Sequence, residues 1–311
     1  MTGGTAARGA AGPVREPSVA GEFYPGSPAG LRSMVRELLA EVRWLPGDAS
    51  RSTPALPAGI LVPHAGLVYS GVIAAAAWAR LGVRHRGPEG DRRPPTVVLL
   101  GTNHRAGWLE GVAEAGAVAW RTPLGEIRVD RELGDEIVAL GPPFGIDGRA
   151  HDGEHSIEVQ LPLLQEVLPG ASIVPLAVSA GVGYAAIDAG RRLGELLSRR
   201  RAAGGRVVLA MSSDMAHYPA DATCEEVTEA LLPSIRRLDP ADLAAREIAV
   251  RHARIPGLVC GMCGIQPAVL GLAALRAMGA TSGLRIAAST SADADGPRDR
   301  TVGYLAVAFT P

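Results

Sequence analysis

Thr96-Val97-Val98-Leu99-Leu100-Gly101 runs directly into Thr102-Asn103-His104. A continuous apolar run of this length is what a strand buried on both faces requires. Two further stretches repeat the form. Gly59-Ile60-Leu61-Val62 leads into Pro63-His64-Ala65-Gly66, and residues 206–211 lead into Ser212-Ser213-Asp214-Met215-Ala216-His217. In an open α/β sheet, ligands bind outside the carboxyl ends of the strands. Three strand ends can therefore converge on one pocket although their histidines lie far apart in sequence. The pattern points to an active or metal-binding site.

The segments around these strands alternate between helix and strand. Ser27 reads as an N-cap with Pro28 at the first helical position. Leu31, Met34, Val35, Leu38, Leu39 and Val42 follow at helical spacing, and Pro46-Gly47 reads as the stop. A small-residue helix is predicted from Ser70 to about Leu81, then a charged, Pro/Gly-rich loop over 84–95. Residues 117–120 and 126–129 read as hairpin strands, and 130–140 as helix. Ser156 reads as the cap of a helix striped by Ile157, Leu161, Leu164 and Leu168, with a kink or late start at Pro162. Strand 172–178 and helix 184–200 follow, helices fill 221–278, and strands 284–289 and 302–309 close the chain. The expected fold is a single α/β domain with a mainly parallel, twisted central sheet flanked by helices. Residues 1–17, rich in Gly, Ala, Pro and Arg, read as a flexible tail and residues 18–311 as the domain.

Composition removes several classes of function. A net charge of −1 provides no field to attract nucleic acid or an anionic membrane. No stretch reaches transmembrane length, and the N-terminus has no apolar signal-peptide core. Three cysteines give no disulfide framework, so a cytoplasmic location is expected. All 31 basic residues are arginine, which rules out Schiff-base catalysis, a lysine-anchored pyridoxal phosphate and a Walker-type phosphate loop. No G-x-S-x-G elbow is present, which weakens a serine-hydrolase reading.

Each candidate site residue has a plainer structural alternative. Gly66 lets the chain turn and uncovers the His64 ring, which otherwise reads as a loop histidine bonded to backbone. His104 sits in a Thr-Asn-His cluster that also suits simple capping. Asp214 and His217 form D-x-x-H, in which a carboxylate can orient an imidazole for acid/base or supporting work, while Ser213 or Asp214 also suits a helix cap. His155 lies in the polar cluster Asp152-Gly153-Glu154-His155-Ser156-Ile157-Glu158 and either faces the pocket or supports the turn. Cys260-Gly261-Met262-Cys263 precedes Pro267, where a helix dipole would favour a thiolate. The pair reads as a redox couple, half a zinc site or buried inert thiols. Two imidazoles and a thiolate together would make a three-ligand site with an open position, suited to Fe(II), Cu or Zn rather than Mg or Ca.

Taken in order, Ala20-Gly21-Glu22-Phe23-Tyr24-Pro25, Val62-Pro63-His64-Ala65-Gly66, Glu154-His155-Ser156-Ile157-Glu158, Ser212-Ser213-Asp214 with His217, and Cys263-Gly264 with Pro267 resemble the Memo family. Its bacterial and archaeal members are called AmmeMemoRadiSam system protein B. The resemblance runs from about Val19 to the C-terminus. It implies a fold similar to the class III extradiol dioxygenases of the LigB type. It implies metal ligands at His64, His104 and Cys263, an acid/base role for His217 with Asp214 beside it, and a site role for His155. It implies iron or copper with a redox or oxygenase-like role, and partnership with radical-SAM and AMMECR1-like proteins. A cysteine in place of the carboxylate of the two-histidine, one-carboxylate triad argues against catechol ring cleavage. The alternatives are a non-catalytic module that keeps the cleft for a peptide or protein, and a zinc-dependent hydrolase.

Overall fold

The structure is a computed structural model and describes residues 12–45, 56–85 and 93–311, with the side chains of 83–85 left aside. The predicted stop at Pro46-Gly47 and most of the predicted 84–95 loop lie outside the described residues.

The chain runs β1 (Val14–Arg15), α1 (Pro28–Glu41), β2 (Gly59–Val62), α2 (Leu67–His85), β3 (Thr96–Thr102), β4 (Gly111–Glu114), β5 (Ala119–Thr122), β6 (Gly125–Arg128), α3 (Arg131–Val138) and β7 (Phe144–Ile146). It continues through α4 (Leu161–Val167), β8 (Ser172–Ser179), α5 (Tyr184–Ala202), β9 (Val207–Ser212), α6 (Asp221–Arg236), α7 (Pro240–His252), α8 (Ile265–Ala277), β10 (Ser282–Thr290) and β11 (Gly303–Thr310). No helix among the described residues is long and apolar enough to cross a membrane.

An eight-stranded sheet in the order β10-β11-β2-β9-β3-β8-β4-β7 forms the centre. Its four middle strands, β2, β9, β3 and β8, are mutually parallel. The antiparallel pairings are β10 with β11, β11 with β2, and β8 with β4. A second, three-stranded sheet has the order β1-β5-β6. The strands are buried on both faces because alternate residues feed two cores. Ile60, Val62, Val97, Leu99, Val208 and Ala210 join the core that includes Leu31, Trp78 and Leu163 of α1, α2 and α4. Leu61, Val98, Leu100, Leu209 and Met211 join the core of Leu133, Leu193 and Leu270 from α3, α5 and α8. Helices α5 and α8 touch closely at Gly190 and Gly194, where an added Cβ would stand 2.2 Å from the Leu270 and Ala274 carbonyl oxygens.

The α1 prediction matches in detail, with the Ser27 hydroxyl accepting from the Gly30 amide at 3.2 Å. Helix α2 is longer than the predicted Ser70–Leu81 at both ends. Pro162 marks a late start: α4 begins at Leu161. Two expectations are corrected. Ser156 does not cap a helix, because its hydroxyl donates to the Thr102 carbonyl at 2.7 Å and ties the loop to the end of β3. Residues 14–17 do not all belong to a free tail. Val14 and Arg15 pair in parallel with Ala119 and Trp120, and the Arg15 guanidinium bonds Glu158 at 2.5 Å.

Candidate metal centre

Strands β2, β9 and β3 are adjacent and parallel, so their carboxyl ends lie side by side. His64, Asp214 and His104 each follow two residues after one of these ends. The topology thus places them together. The His64 and His104 ring centroids are 5.2 Å apart at an interplanar angle of 86°. His155 completes the cluster, 5.4 Å from His64 and 4.7 Å from His104. One ligating atom from each of the three rings can be chosen so that all lie within 4.8 Å of one another, a group able to hold a metal ion. Cys263, outside this trio, approaches His64 from the loop before α8, with Sγ 3.3 Å from His64 Nε2.

The hydrogen-bond partners fix which ring nitrogen is free. His64 Nδ1 lies 2.9 Å from the Ser212 hydroxyl. That hydroxyl gives its one proton to the Ser156 carbonyl at 2.6 Å and accepts from Gln160 Nε2 at 3.1 Å. His64 Nδ1 must therefore be the donor, which leaves the lone pair on Nε2 facing the sulfur. His104 Nδ1 donates to Glu154 Oε1 at 3.0 Å. His217 Nδ1 donates to the Met215 carbonyl at 2.8 Å. In their neutral forms all three imidazoles carry the free lone pair on Nε2. An acceptor behind each ring, the Ser212 hydroxyl for His64, the Glu154 carboxylate for His104 and the Met215 carbonyl for His217, is the arrangement that orients metal-ligating histidines.

Glu154 organises one side of the centre. Its buried carboxylate accepts from the amides of His104 at 2.7 Å, His155 at 2.8 Å and Ser156 at 2.9 Å, besides the His104 ring. Burial opposes its ionisation, but the hydrogen bond and charge of His104 and these amides outweigh it. They hold the carboxyl well below the usual range. Asp214 has a different task from the one its spacing suggested. Its carboxylate does not orient His217; Oδ1 accepts from the amides of His64 at 2.7 Å and Ala65 at 3.2 Å, and so fixes the turn that presents His64. Burial pushes the Asp214 carboxyl up, against the charge of His217 and these amides. We expect Glu154→Gln, which loses one acceptor and a charge, to weaken divalent-metal binding by about 10–100-fold. A metal-competition titration measures this directly.

Burial also sets the protonation of the ligand candidates. It pulls His64 well below the ordinary histidine value, helped by the charges of His155 and His104. It brings His155 down to about 4. Both rings are neutral at pH 7, as a ligand must be. Cys263 departs from the expectation of a dipole-stabilised thiolate. Burial and then the Asp214 charge push its thiol well above the usual value. The sulfur keeps its proton until a cation displaces it.

Cys260 lies in the same loop, with its thiol pushed up to about 12 by burial and the Glu247 charge. Cys224, buried in α6, directs its Sγ to the Ala216 carbonyl.

The sequence reading missed the contribution of the N-terminal segment. Phe23 packs 4.6 Å from the His155 ring, and its carbonyl accepts from the Leu67 amide that opens α2. Tyr24 donates its hydroxyl to Glu158 Oε1 at 2.6 Å. Glu158 is fully buried and also takes the amides of Ser18 and Val19 and the Arg15 guanidinium. The available signal was the pairing of an aromatic Gly-Glu-Phe-Tyr-Pro stretch with a second glutamate in the 152–158 cluster, but only the tertiary fold joins them.

Comparison with known proteins agrees over nearly the whole chain. Residues 15–308 match the sequence profile described as Memo-like protein. A MEMO1 family protein of Aquifex aeolicus is 34% identical over 297 residues, spanning 95% of this chain and 99% of that protein. A MEMO1 family protein of Methanopyrus kandleri is 35% identical over 306 residues, spanning 95% of this chain and 98% of its own. Among solved structures, the uncharacterized protein JW3007 from Escherichia coli K12 aligns with a TM-score of 0.49 at 16% identity, over 82% of this chain and all of that one.

Proposed function

This chain belongs to the Memo family, and from that premise we propose that it holds one iron or copper ion between His64, His104 and Cys263 and works in redox chemistry on a small molecule or peptide. One observation carries the reading. The free Nε2 of His64, its tautomer set by Ser212, stands 3.3 Å from the Cys263 sulfur, with the His104 ring 5.2 Å away and set by Glu154. Two imidazoles and a sulfur are a donor set for a transition ion. A bound iron or copper ion supplies one-electron chemistry and leaves coordination positions open to a substrate atom.

The chain's own residues would do the rest. Glu154 and Ser212 keep both imidazoles aimed. Asp214 holds the backbone of His64 in place. His217, close enough to His64 for their charges to interact, presents Nε2 to take or give a proton.

His155 competes with Cys263 for the third ligand position. Its ring stacks on His104 at 21° with centroids 4.7 Å apart. The ligating atoms of His64, His104 and His155 lie within 4.8 Å of one another, so the third imidazole is a real competitor. His64 and His104 stand edge to face at 86°. The 3.3 Å approach of the Cys263 sulfur to His64 Nε2 is what supports Cys263 as the third ligand. Anaerobic metal analysis of Cys263→Ser beside His155→Ala tests the choice. Cys263→Ser is expected to lose most of its iron or copper and His155→Ala to keep about one equivalent per chain. The opposite pattern would replace the sulfur by the third imidazole.

A second reading, a peptide-binding cleft without turnover, has one observation behind it. Tyr69, Trp108 and Tyr218 are exposed and follow closely after His64, His104 and His217 in the chain. In that reading a bound peptide remains bound when His64 is removed. Radical-SAM and AMMECR1-like proteins are the partners to test in such an experiment.

A further inference from the structure

We propose that Glu247 of α7 is a positioning residue that sets where the Cys263 sulfur stands, acting through the backbone of the 260–263 loop. The proposal rests on Cys263 being a metal ligand. Glu247 is 4% exposed and lies outside the centre described above. Its Oε1 accepts from the Gly261 amide at 3.1 Å, while the buried Oε2 has no hydrogen-bond partner. Gly261 stands two residues before Cys263.

The approach is close. A Cβ built on Gly261 would stand 2.3 Å from Glu247 Oε2, and next 3.1 Å from Val250 Cγ1 and 3.3 Å from Leu231 Cδ1. Only glycine lets the loop settle onto the carboxyl within this apolar wall. A carboxyl facing Leu231 and Val250 carries a desolvation cost that an apolar side chain would avoid. Burial accordingly lifts it to about 7.

The other side of the loop is held by the extension of β9. The His217 amide donates to the Cys260 carbonyl at 3.0 Å, the Cys263 amide to the Asp214 carbonyl at 3.3 Å, and the Gly264 amide to the Ser213 hydroxyl at 2.8 Å. Glu247 therefore grips the loop from the helical side and the β9 extension grips it from the sheet side. Metal–sulfur bonds are short, about 2.3 Å for zinc, so a loop displaced by an ångström no longer delivers the thiolate.

The test is an anaerobic Co(II) titration of the full chain in wild type, Glu247→Ala, Glu247→Gln, Gly261→Ala and Cys263→Ser. The readouts are the Co(II) dissociation constant and the thiolate-to-cobalt charge-transfer band, with a circular dichroism melt to check folding. Glu247→Ala is expected to bind about 10–100-fold more weakly, with the band reduced or shifted. Gly261→Ala, which pushes the loop off an intact carboxyl, is expected to show the same loss. Glu247→Gln keeps an acceptor for the Gly261 amide in a neutral group of the same shape, and is expected to restore both readouts. If Glu247→Ala does not fold, Gly261→Ala decides alone: a diminished band supports the proposal and a wild-type band overturns it. A band lost in Cys263→Ser but unchanged in Glu247→Ala and Gly261→Ala overturns this proposal and leaves the ligand reading intact. A band unchanged in Cys263→Ser overturns both.

Discussion

Replacing His64 with alanine is expected to abolish stoichiometric binding of iron or copper. The loss should exceed the roughly 10–100-fold that removal of an outer partner costs. His64 is 1% exposed, burial keeps its ring neutral, and its Nε2 stands 3.3 Å from the Cys263 sulfur. Alanine removes that donor and also leaves the buried Ser212 hydroxyl without the proton it accepts from Nδ1. Neither His104 nor Cys263 can substitute, since each is tied to its own element. Metal analysis of anaerobically purified protein reads the effect. His217→Ala is the matched control and should retain metal, because in this account His217 moves a proton and does not ligate. Metal retained in His64→Ala would remove the basis for the centre.

The largest effect on folding is expected at Glu158. Its carboxylate is fully buried and takes the Arg15 guanidinium, the Tyr24 hydroxyl and the amides of Ser18 and Val19. The Arg15 side chain is itself only 11% exposed. Removing one partner of such a pair strands the other charge in a poorly solvated place, at a cost of about 3–5 kcal/mol. Glu158→Ala should therefore lower the chemical-denaturation midpoint strongly. Glu158→Gln should cost less, since it keeps an acceptor for the two amides and Tyr24. The damage should reach the centre as well, because Phe23, next to Tyr24, packs on the His155 ring. A Glu158→Ala variant with wild-type stability would contradict the view that this glutamate anchors the N-terminal segment.

The parts of this structure that could be read in advance are those written in local pattern. Residues 59–62, 96–101 and 207–211 are apolar runs that end abruptly in polar, histidine-bearing turns, and they are strands buried on both faces. Their convergence was a reasonable expectation, but its cause was hidden. It depends on β9 lying between β2 and β3, a strand order made by crossovers that local sequence does not encode. The short strands β4 and β7 escaped because three or four residues near a sheet edge carry little periodicity.

Side-chain assignments failed where a polar group had several local options. Ser156 looks like a helix cap, yet its hydroxyl has a better partner across space in Thr102. Asp214 looks like the orienting group for His217, yet the Met215 carbonyl takes that place and the carboxylate secures His64 and Ala65. Glu154 stood in a visible cluster without a role, because its partner His104 is 50 residues away. Cys263 entered through family resemblance. The structure supplies a physical reason to consider it, the 3.3 Å approach to His64.

In the proposed centre a thiolate and two imidazoles share one ion. The most direct test is the near-ultraviolet spectrum of the Co(II)-loaded protein, taken anaerobically for wild type and Cys263→Ser. One equivalent of cobalt and a thiolate-to-cobalt charge-transfer band are expected in wild type, with the band gone in Cys263→Ser. An identical spectrum in the two proteins, or no cobalt bound to either, would contradict that centre.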